Sequence, residues 1–331
     1  MYVADKDRYN KMKYRHSGKS GLKLPEVSLG LWHNFGTNDS YENMREMCKT
    51  AFNLGITHFD LANNYGPESG SAETSFGKIL KDLFPEYRDE LIISTKAGYD
   101  MWEGPYGNFG SRKYLLASLD QSLNRMGLDY VDIFYHHRMD PDTPIEESMS
   151  ALDQAVKSGK ALYAGISNYD KKSTEKAVEI MKELHCPLII NQRRYSIFDR
   201  TIEEDGVKQL AKDMGLGIIC FSPLEQGILS DKYLNGIPED SRIKRDGRFL
   251  KSEYLTPEVM NAVKELNEVA KERGQSLAQM ALSWILKDSE ITSVLIGASK
   301  PSQIAENVKI IENTQFTKEE IDKIDLLSKI R

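Results

Sequence analysis

Four side chains of this sequence have the types needed to protonate an oxygen as it gains negative charge: Asp60, Tyr65, Lys96 and His137. A tyrosine hydroxyl, with a pKa of about 10, is a poor acid at neutral pH unless a cation stabilises the tyrosinate. Lys96 beside Tyr65 would supply that cation, and Asp60 would keep the ammonium charged and oriented. A histidine would position the reacting carbonyl oxygen. Because hydride delivery forms an alkoxide from a carbonyl at neutral pH, these residues predict a reductase with a nicotinamide cofactor.

Plainer interpretations stay open for each of these residues taken alone. Tyr65 could simply pack in a glycine-rich loop, and the histidine could belong to the core. Asp60 and Lys96 could form a structural ion pair, or Lys96 could form a Schiff base in a lyase or isomerase without a cofactor. Adjacent side chains of a strand point to opposite faces, so at most one of His136 and His137 faces a common site. That pair is unsuited to a metal, and we predict no metal site.

Short apolar or β-branched runs alternate along the chain with longer stretches of helical periodicity. The eight apolar runs span residues 27–32, 56–60, 91–96, 131–137, 161–167, 187–192, 216–222 and 292–299. The helical stretches span residues 41–54, 113–126, 145–158, 170–184, 201–213 and 301–311. Continuous apolar strands separated by helices are typical of parallel strands covered on both faces. The pattern therefore predicts the α/β class and, within it, a (β/α)₈ TIM barrel.

Three segments lie outside this repeat: a β-hairpin with GKSG as its turn, a terminal helix, and a long insertion after the seventh run. They span residues 12–24, 317–330 and 223–287, the last with helical stretches at 257–273 and 276–287. We expect the hairpin to close the bottom of the barrel. No low-complexity linker divides the chain, so we expect residues 1–331 to form a single domain.

Polar residues stand at the carboxyl ends of the runs, where the active site of a barrel lies. They are Asp60, Lys96, His136 or His137, Ser167, Asn168, Asn191, Gln192, Ser222, Gly297 and Ser299. A barrel with a purely structural role has no need of this arrangement. The sequence therefore predicts an enzyme.

The composition is that of an ordinary globular protein with a small acidic excess. Lys and Arg number 44 against 50 Asp and Glu, which gives a net charge of −6. Nucleic-acid binders usually carry a basic face, so we expect no nucleic-acid partner. The three cysteines are far apart, the N-terminus lacks an apolar signal, and no apolar run reaches the roughly 20 residues that span a membrane. We expect a cytoplasmic protein without a membrane partner.

At the level of motifs, the chain resembles the aldo-keto reductases over essentially its whole length. The matching stretches are GITHFDLANNYG, STKAG, VDIFYHHRMD, GISNY, NQRRYS, FSPLEQGILSDKY and SVLIGAS. The resemblance places the family's catalytic tetrad on Asp60, Tyr65, Lys96 and His137, and its substrate site on Trp32, Tyr65 and His137. It implies reduction of small aldehydes with Tyr65 as the general acid. Within the family, the chain is most similar to the branch of bacterial L-glyceraldehyde 3-phosphate reductases and potassium-channel β subunits.

The resemblance also implies NADPH as the cofactor and residues for each part of it. The nicotinamide end would contact Leu31, Trp32, Asp60, Ser167, Asn168 and Gln192, with the ring of Phe221 stacked on the nicotinamide. The pyrophosphate side would contact Ser222, Pro223, Leu224, Gln226, Gly227 and Lys232. The adenosine side would contact Gly297, Ser299, Gln303, Glu306 and Asn307. Arg242, with Lys300 nearby, would bind the 2′-phosphate and so favour NADPH over NADH.

The same branch implies L-glyceraldehyde 3-phosphate as the substrate, with methylglyoxal and other short aldehydes as further substrates. A substrate phosphate needs a cation near the mouth, for which the candidates are Arg112, Lys113, Arg138, Arg193 and Arg194. The branch also implies a homo-oligomer, a tetramer or an octamer. The alternative function is an NADP(H)-binding regulatory or redox-sensing subunit with slow turnover, like the channel β subunits. Those subunits have Asn where this chain has His137, which favours a working reductase.

Overall fold

The computed structural model describes residues 2–234, 236–238 and 251–329. Within these residues, eight parallel strands form a closed barrel: Val27–Gly30 (β3), His58–Asp60 (β4), Ile92–Ala97 (β5), Val131–His136 (β6), Ala161–Ser167 (β7), Leu188–Arg194 (β8), Gly217–Phe221 (β9) and Ile291–Ile296 (β10). Their order around the barrel is β10-β3-β4-β5-β6-β7-β8-β9. Each predicted apolar run supplies one of these strands. The predicted (β/α)₈ barrel is therefore confirmed.

Helices cover the outside of the barrel. They are Tyr41–Asn53 (α1), Ser71–Leu83 (α2), Arg112–Met126 (α3), Ile145–Lys157 (α4), Lys171–Glu183 (α5), Thr201–Glu204 (α6), Val207–Met214 (α7), Pro257–Glu272 (α8), Leu277–Leu286 (α9), Pro301–Val308 (α10) and Lys318–Ser328 (α11). The apolar stripe of each helix is the buried face; on α1 it consists of Met44, Met47, Cys48, Ala51 and Phe52. Burial of such stripes contributes roughly 25 cal/mol for each Å² removed from water. Over the described residues, no helix is long and apolar enough to cross a membrane.

Two helical segments differ from the sequence prediction. The sequence does not predict helix α2, because residues 61–73 have the composition of a loop. The helix starts after Gly70, which has φ 91° and offers no capping side chain, so the usual start signal is absent. The predicted helix at 201–213 is divided into α6 and α7 by Gly206, whose φ of 78° interrupts the helical backbone.

The predicted hairpin lies below the barrel. Its strands Tyr14–His16 (β1) and Lys23–Pro25 (β2) pair in antiparallel fashion. In the turn, the Ser17 hydroxyl donates to the carbonyl oxygen of Ile189 near the start of β8, at 2.8 Å. Leu24 is fully buried and packs against Ile189 inside the barrel. The hairpin therefore closes the end of the barrel opposite to the carboxyl ends of its strands.

The barrel interior is divided between an apolar and a polar region. The apolar region consists of Leu24, Ile133, Tyr135, Ile189, Ile190, Ile219 and Leu295. The polar region, on β3, β4, β5 and β10, contains the buried side chains Ser28, His58, Asp60, Ser94, Lys96 and Ser293. Buried polar groups cost free energy unless they are hydrogen-bonded. The polar side chains accordingly form a connected network, which runs upward to the carboxyl ends of the strands.

Candidate active site

The structure brings the four predicted catalytic side chains together at the carboxyl ends of three neighbouring strands. Asp60 ends β4, Lys96 is the penultimate residue of β5, and His137 directly follows β6. Tyr65 lies in the loop after β4. The Lys96 Nζ atom is 2.6 Å from Asp60 Oδ2 and 5.0 Å from the centre of the Tyr65 ring. The ring centres of Tyr65 and His137 are 5.8 Å apart.

A buried ion pair forms the base of this site. Lys96 is fully buried, and its ammonium donates to Asp60 Oδ2 at 2.6 Å and to the Leu61 carbonyl oxygen at 2.5 Å. Burial lowers the pKa of Lys96, while the charge of Asp60 acts in the opposite direction. Asp60 Oδ1 accepts from Ser94 Oγ at 2.7 Å and from Gln192 Nε2 at 3.1 Å. These donors hold the carboxylate in place and leave Oδ2 for the ammonium.

Tyr65 keeps its proton in this arrangement. Burial raises the pKa of its hydroxyl well above the usual value, and Asp60 and Tyr99 act in the same direction. The Lys96 ammonium lies over the Tyr65 ring, and no hydrogen bond joins it to the Tyr65 hydroxyl in the described parts of the chain. The pKa therefore moves opposite to the lowering expected from the sequence. A protonated hydroxyl is still what a proton donor requires, because an alkoxide is a stronger base than a tyrosinate.

Only one of the two adjacent histidines faces the site, as predicted. His136 Nδ1 is 2.6 Å from the hydroxyl of Tyr169, on the other side of the strand. His137 contacts Tyr65 and also Tyr99, whose ring centre is 4.7 Å from its own. Burial, helped by the charge of Lys96, lowers the pKa of His137 well below the usual value. His137 is therefore a neutral imidazole that can donate a hydrogen bond to a carbonyl oxygen.

Tyr99 is a site residue that the sequence analysis missed. It lies two residues beyond the end of β5, outside the strand ends at which the sequence predicts polar site residues. The guanidinium of Arg138 lies 4.3 Å from the centre of the Tyr99 ring and donates from Nε to the Gly98 carbonyl oxygen at 2.8 Å. A signal was present, because Tyr99 is the first aromatic residue after a strand that carries a predicted catalytic residue.

Two tryptophans follow the carboxyl ends of barrel strands, Trp32 after β3 and Trp102 after β5, and they differ in their contacts. The centres of the Trp32 and Tyr65 rings are 6.2 Å apart, so Trp32 borders the tetrad. The Trp102 ring instead packs on Tyr114, with ring centres 5.2 Å apart. Trp102 therefore has the role of ordinary loop packing. Leu31 is fully buried, and its backbone N–H donates to the carbonyl oxygen of Asp60 at 2.9 Å.

Three polar side chains predicted to bind a nicotinamide carboxamide converge beside the tetrad. Ser167 pairs with Gln192 across β7 and β8, and its hydroxyl donates to the Gln192 carbonyl oxygen at 3.0 Å. Asn168 Nδ2 donates to the His137 carbonyl oxygen at 3.0 Å. Because the described contacts use the amide nitrogens of Asn168 and Gln192, the amide oxygens can accept from a carboxamide. This donor set fits a nicotinamide.

The loop after β9 carries the predicted ring-stacking and pyrophosphate residues. Phe221 ends β9 with a partly exposed ring that packs on the apolar interior of the barrel. Glu225 anchors the loop, because its carboxylate accepts from Arg194 and from Ser196, each at 2.6 Å. Lys232 is exposed. The other predicted contacts of this loop are Ser222, Pro223, Leu224, Gln226 and Gly227, which are at least partly accessible except for the buried Pro223.

The predicted adenosine residues follow β10. Gly297 is exposed, and a Cβ atom added there would meet nothing within 4 Å, so the protein's own packing does not require glycine. Close approach by a ligand would require it. The Gln303 side chain accepts from the Ser299 backbone N–H at 2.8 Å, just before α10. Glu306 and Asn307 lie on the same helix, while Arg242 lies outside the described residues.

Backbone strain concentrates at this end of the barrel. Among described residues other than glycine, eight have a positive φ. Seven of them lie in loops that follow carboxyl ends of barrel strands: Asn34, Glu68, Phe109, Asn168, Ser222, Glu225 and Gln226. Such conformations cost about 1–3 kcal/mol each and persist where the surroundings enforce them, commonly at functional sites.

The five candidate cations for a substrate phosphate differ in how fully the protein already uses them. Arg193 pairs with Asp205, and Arg194 pairs with Glu225. Arg112 donates to Ser150, and Lys113 is exposed beside the ring of Tyr106. The fifth, Arg138, donates to the Gly98 carbonyl oxygen and to Asn108 Oδ1, each at 2.8 Å, and its packing on Tyr99 places it next to the aromatic wall of the site.

Comparisons with known proteins agree with this geometry. The family model described as Aldo/keto reductase family matches residues 26–329. Proteins named L-glyceraldehyde 3-phosphate reductase from Escherichia coli O157:H7 and from Escherichia coli (strain K12) are 57% identical over 328 residues, covering 98% of this chain and 95% of theirs. A putative voltage-gated potassium channel subunit beta from Schizosaccharomyces pombe is 37% identical, covering 94% of this chain and 92% of its own. The solved structure of the thermostable aldo-keto reductase Tm1743, with the inhibitor epalrestat, matches with a TM-score of 0.75 at 29% identity, covering 96% of this chain and 100% of that one.

Proposed function

The chain belongs to the aldo/keto reductase family and is an oxidoreductase; from that premise we propose that it reduces short aldehydes with NADPH, using Tyr65 as the proton donor. The observation that carries the proposal is the buried Lys96–Asp60 pair, 2.6 Å apart, directly beside Tyr65 and His137. A buried ion pair is weak support for stability. Its place beside a protonated phenol and a neutral imidazole gives it a use in proton transfer.

The proposed reaction divides the work among these side chains. His137 donates a hydrogen bond to the aldehyde oxygen and orients it, and Tyr65 passes its phenolic proton to that oxygen as negative charge develops. A bound nicotinamide cofactor would supply the hydride to the carbonyl carbon. The resulting tyrosinate gains the nearby Lys96 cation as its counter-charge. Tyr65 is partly accessible, so water can return its proton.

The cofactor assignment rests on the fit of the residues described above. Asn168 and Gln192 retain amide oxygens for a carboxamide, Phe221 presents a ring for stacking, and Gly297 leaves open space. The preference for NADPH rests on Arg242 from the sequence and on Lys300, which is exposed at the start of α10. A 2′-phosphate requires such a cation.

For the substrate, we propose L-glyceraldehyde 3-phosphate, with methylglyoxal and other short aldehydes as further substrates. Support comes from two relatives with that reductase name at 57% identity over nearly the whole chain. The small aromatic wall of Trp32, Tyr65 and Tyr99 suits a short carbon chain. Arg138 is the candidate for the phosphate contact, because it packs on Tyr99.

A panel of substrates tests this function. L-glyceraldehyde 3-phosphate, glyceraldehyde and methylglyoxal are each supplied with NADPH and, in parallel, with NADH, and the loss of cofactor absorbance is followed. We expect kcat above about 1 s⁻¹ for at least one aldehyde, a higher kcat/KM for the phosphorylated one, and a preference for NADPH. Glyceraldehyde is the matched control, because it lacks only the phosphate.

The same panel decides against the proposal if every aldehyde turns over far below about 1 s⁻¹ while NADPH binds tightly. That result would support the alternative function, an NADP(H)-binding regulatory or redox-sensing subunit. The 37% identity to a putative channel subunit is the observation that favours this alternative. A lyase or isomerase using Lys96 would instead give borohydride trapping of a substrate on Lys96. We expect none, because the Lys96 ammonium is held by Asp60 and Leu61.

We further propose that residues 1–331 form one domain that works in the cytoplasm as a homo-oligomer, a tetramer or an octamer. The cysteines Cys48, Cys186 and Cys220 are all free and buried, in keeping with a reducing compartment. Light scattering coupled to gel filtration measures the mass directly, and a monomeric mass would overturn the oligomer.

A further inference from the structure

A line of buried hydrogen-bonding side chains runs across the barrel beneath Asp60, and its central member is His58. We propose that His58 is a positioning residue that fixes Asp60, and through it Lys96, for proton transfer by Tyr65. The inference rests on the proposed function. None of the sequence motifs assigned a role to His58, which lies inside the apolar run 56–60.

Strand geometry places His58 directly below Asp60. The two are separated by one residue on β4, so their side chains point to the same face, into the barrel. Phe59 between them points outward and packs on Phe76 of α2. His58 is 0% exposed. It therefore occupies the layer of the barrel interior immediately below the ion pair.

Both ring nitrogens of His58 have partners on the neighbouring strands. Nδ1 lies 2.9 Å from Ser28 Oγ on β3, and Nε2 lies 2.9 Å from Ser94 Oγ on β5. Ser28 Oγ lies 2.7 Å from Ser293 Oγ on β10. At the other end, Ser94 Oγ lies 2.7 Å from Asp60 Oδ1. The line thus links four adjacent strands of the barrel.

The chemistry of the partners fixes the direction of every proton in this line. A carboxylate can only accept, so Ser94 donates its single hydroxyl hydrogen to Asp60 and must accept from His58 Nε2–H. Burial lowers the pKa of His58 to about 4, so the ring is neutral and Nδ1 carries no hydrogen. Ser28 therefore donates to Nδ1 and accepts from Ser293. All four hydrogens point toward Asp60.

A line of aligned donors has a consequence at its acceptor end. Each bond polarises the next, which strengthens the final bond from Ser94 to Asp60. Asp60 Oδ1 is occupied by this donor and by Gln192, so Oδ2 is held toward Lys96. The titratable groups that face His58 are Asp60 and Lys96, and its hydrogen-bond partners are the serine hydroxyls of Ser28 and Ser94. Without the line, the Asp60 carboxylate is held less firmly beside Lys96. Its charge then offsets less of the lowering of the Lys96 pKa that burial causes.

Three substitutions of His58 separate positioning from packing. Gln can place its amide nitrogen near the position of Nε2 and donate to Ser94, Asn is too short to do so, and Leu fills the space without a donor. We expect H58L and H58N to lower kcat by on the order of tenfold to a hundredfold, the range found for residues that orient metal ligands. H58Q should keep most of the kcat. The Kd of NADPH, followed by fluorescence quenching, should stay close to the parental value in all three variants.

The pH profile of kcat provides the readout that packing does not move. We expect kcat to fall at alkaline pH when the Lys96 ammonium loses its proton. When Asp60 is held less firmly, Lys96 loses that proton at a lower pH. The alkaline fall should therefore shift to lower pH in H58L and H58N but not in H58Q. If H58L fails to fold, S94A can replace it. This substitution removes the hydroxyl that joins His58 to Asp60, with little change in side-chain volume. The control is S283A, which removes a buried hydroxyl on α9 that is bonded to Gln275 and is not a member of the line.

The outcomes decide the proposal in either direction. Reduced kcat with a shifted alkaline limb in H58L or S94A, together with recovery in H58Q, supports it. A kcat and a pH profile equal to those of the parent enzyme in H58L or S94A overturn it. An equal loss of kcat in all three His58 variants, with no shift of the alkaline fall, also overturns it. If the parent enzyme itself reduces no aldehyde, the proposed function is wrong. If the parent enzyme is active and the His58 variants have the same kcat, only this inference is wrong.

Discussion

Lys96 is a residue on which both the proposed chemistry and the local stability of the site depend. It is fully buried and bonded to Asp60 and Leu61. A buried charge is tolerated because its partner is present; loss of one partner leaves the other buried and uncompensated. The two roles of Lys96 can therefore be separated by changing one partner or both.

We predict that K96M both inactivates the enzyme and destabilises it, by about 3–5 kcal/mol, because Asp60 is left as an unpaired buried charge. The matched double variant K96M/D60N should recover most of that stability without recovering turnover. Urea unfolding and NADPH oxidation with an aldehyde measure the two effects. A K96M variant with parental turnover would remove Lys96 from the mechanism.

At this scale, the sequence predicts which four side chains lie together, Asp60, Tyr65, Lys96 and His137, but not the residues that support them. Asp60, Lys96 and His137 stand where polar side chains end apolar runs, which is a strong signal in a barrel. Tyr99 contacts His137 but lies beyond the strand. His58 lies within an apolar run, so its position in the sequence indicates only a core residue. Its hydrogen-bond partners come from β3 and β5, and only the closed barrel brings them together.

Among the elements, the hairpin at the barrel bottom gives the sharpest steric test. Gly18 has a φ of 56°, and a Cβ atom there would lie 2.0 Å from the Gly215 carbonyl oxygen. That atom belongs to the backbone and cannot rotate away. The turn that was recognised from GKSG thus requires this glycine for close approach to the loop before β9.

We predict that G18A lowers the unfolding free energy by about 3 kcal/mol, from left-handed backbone strain plus the clash with Gly215. G21A is the matched control in the same turn, because a Cβ atom there meets nothing within 4 Å. The midpoint of urea unfolding should fall clearly for G18A and stay close to the parental value for G21A. Equal midpoints for the two variants would show that the hairpin does not pack on the barrel as described.

The elements themselves divide into those with a local signal and those without one. All eight barrel strands follow from apolar runs, because strands buried on both faces need continuous apolar sequence. Helix α2 was missed because its start at Gly70 lacks a capping side chain. Its burial against β4, through Phe59 and Phe76, is a tertiary effect.

Across the whole molecule, buried neutral histidines couple stability to acidity. Burial lowers the pKa of His58 and of His136 to about 4, and that of His137 well below the usual value. In the unfolded chain each titrates near 6.5. Between about pH 6.5 and pH 4, the unfolded chain therefore binds protons that the folded protein does not. Stability must fall as the pH falls through this window.

We predict a loss that reaches about 3 kcal/mol for each of His58 and His136 at pH 4, at 1.36 kcal/mol per pKa unit. Urea unfolding at pH 7 and pH 4 measures it. H136Q should flatten the dependence, while the control H16Q, at an exposed position, should leave it unchanged. Equal unfolding midpoints at both pH values would mean that these histidines are not held neutral.

The central claim is that Tyr65 gives its proton to the reduced carbonyl oxygen, and Y65F tests it most directly. The substitution removes only the hydroxyl, and Y254F, at an exposed tyrosine, is the matched control. Turnover of the best aldehyde with NADPH is measured alongside the Kd of NADPH. We predict that kcat falls by roughly 10²–10⁴-fold in Y65F, the usual range for a general acid, with NADPH binding and the Y254F control unchanged. Turnover by Y65F within a few-fold of the parent enzyme would contradict it.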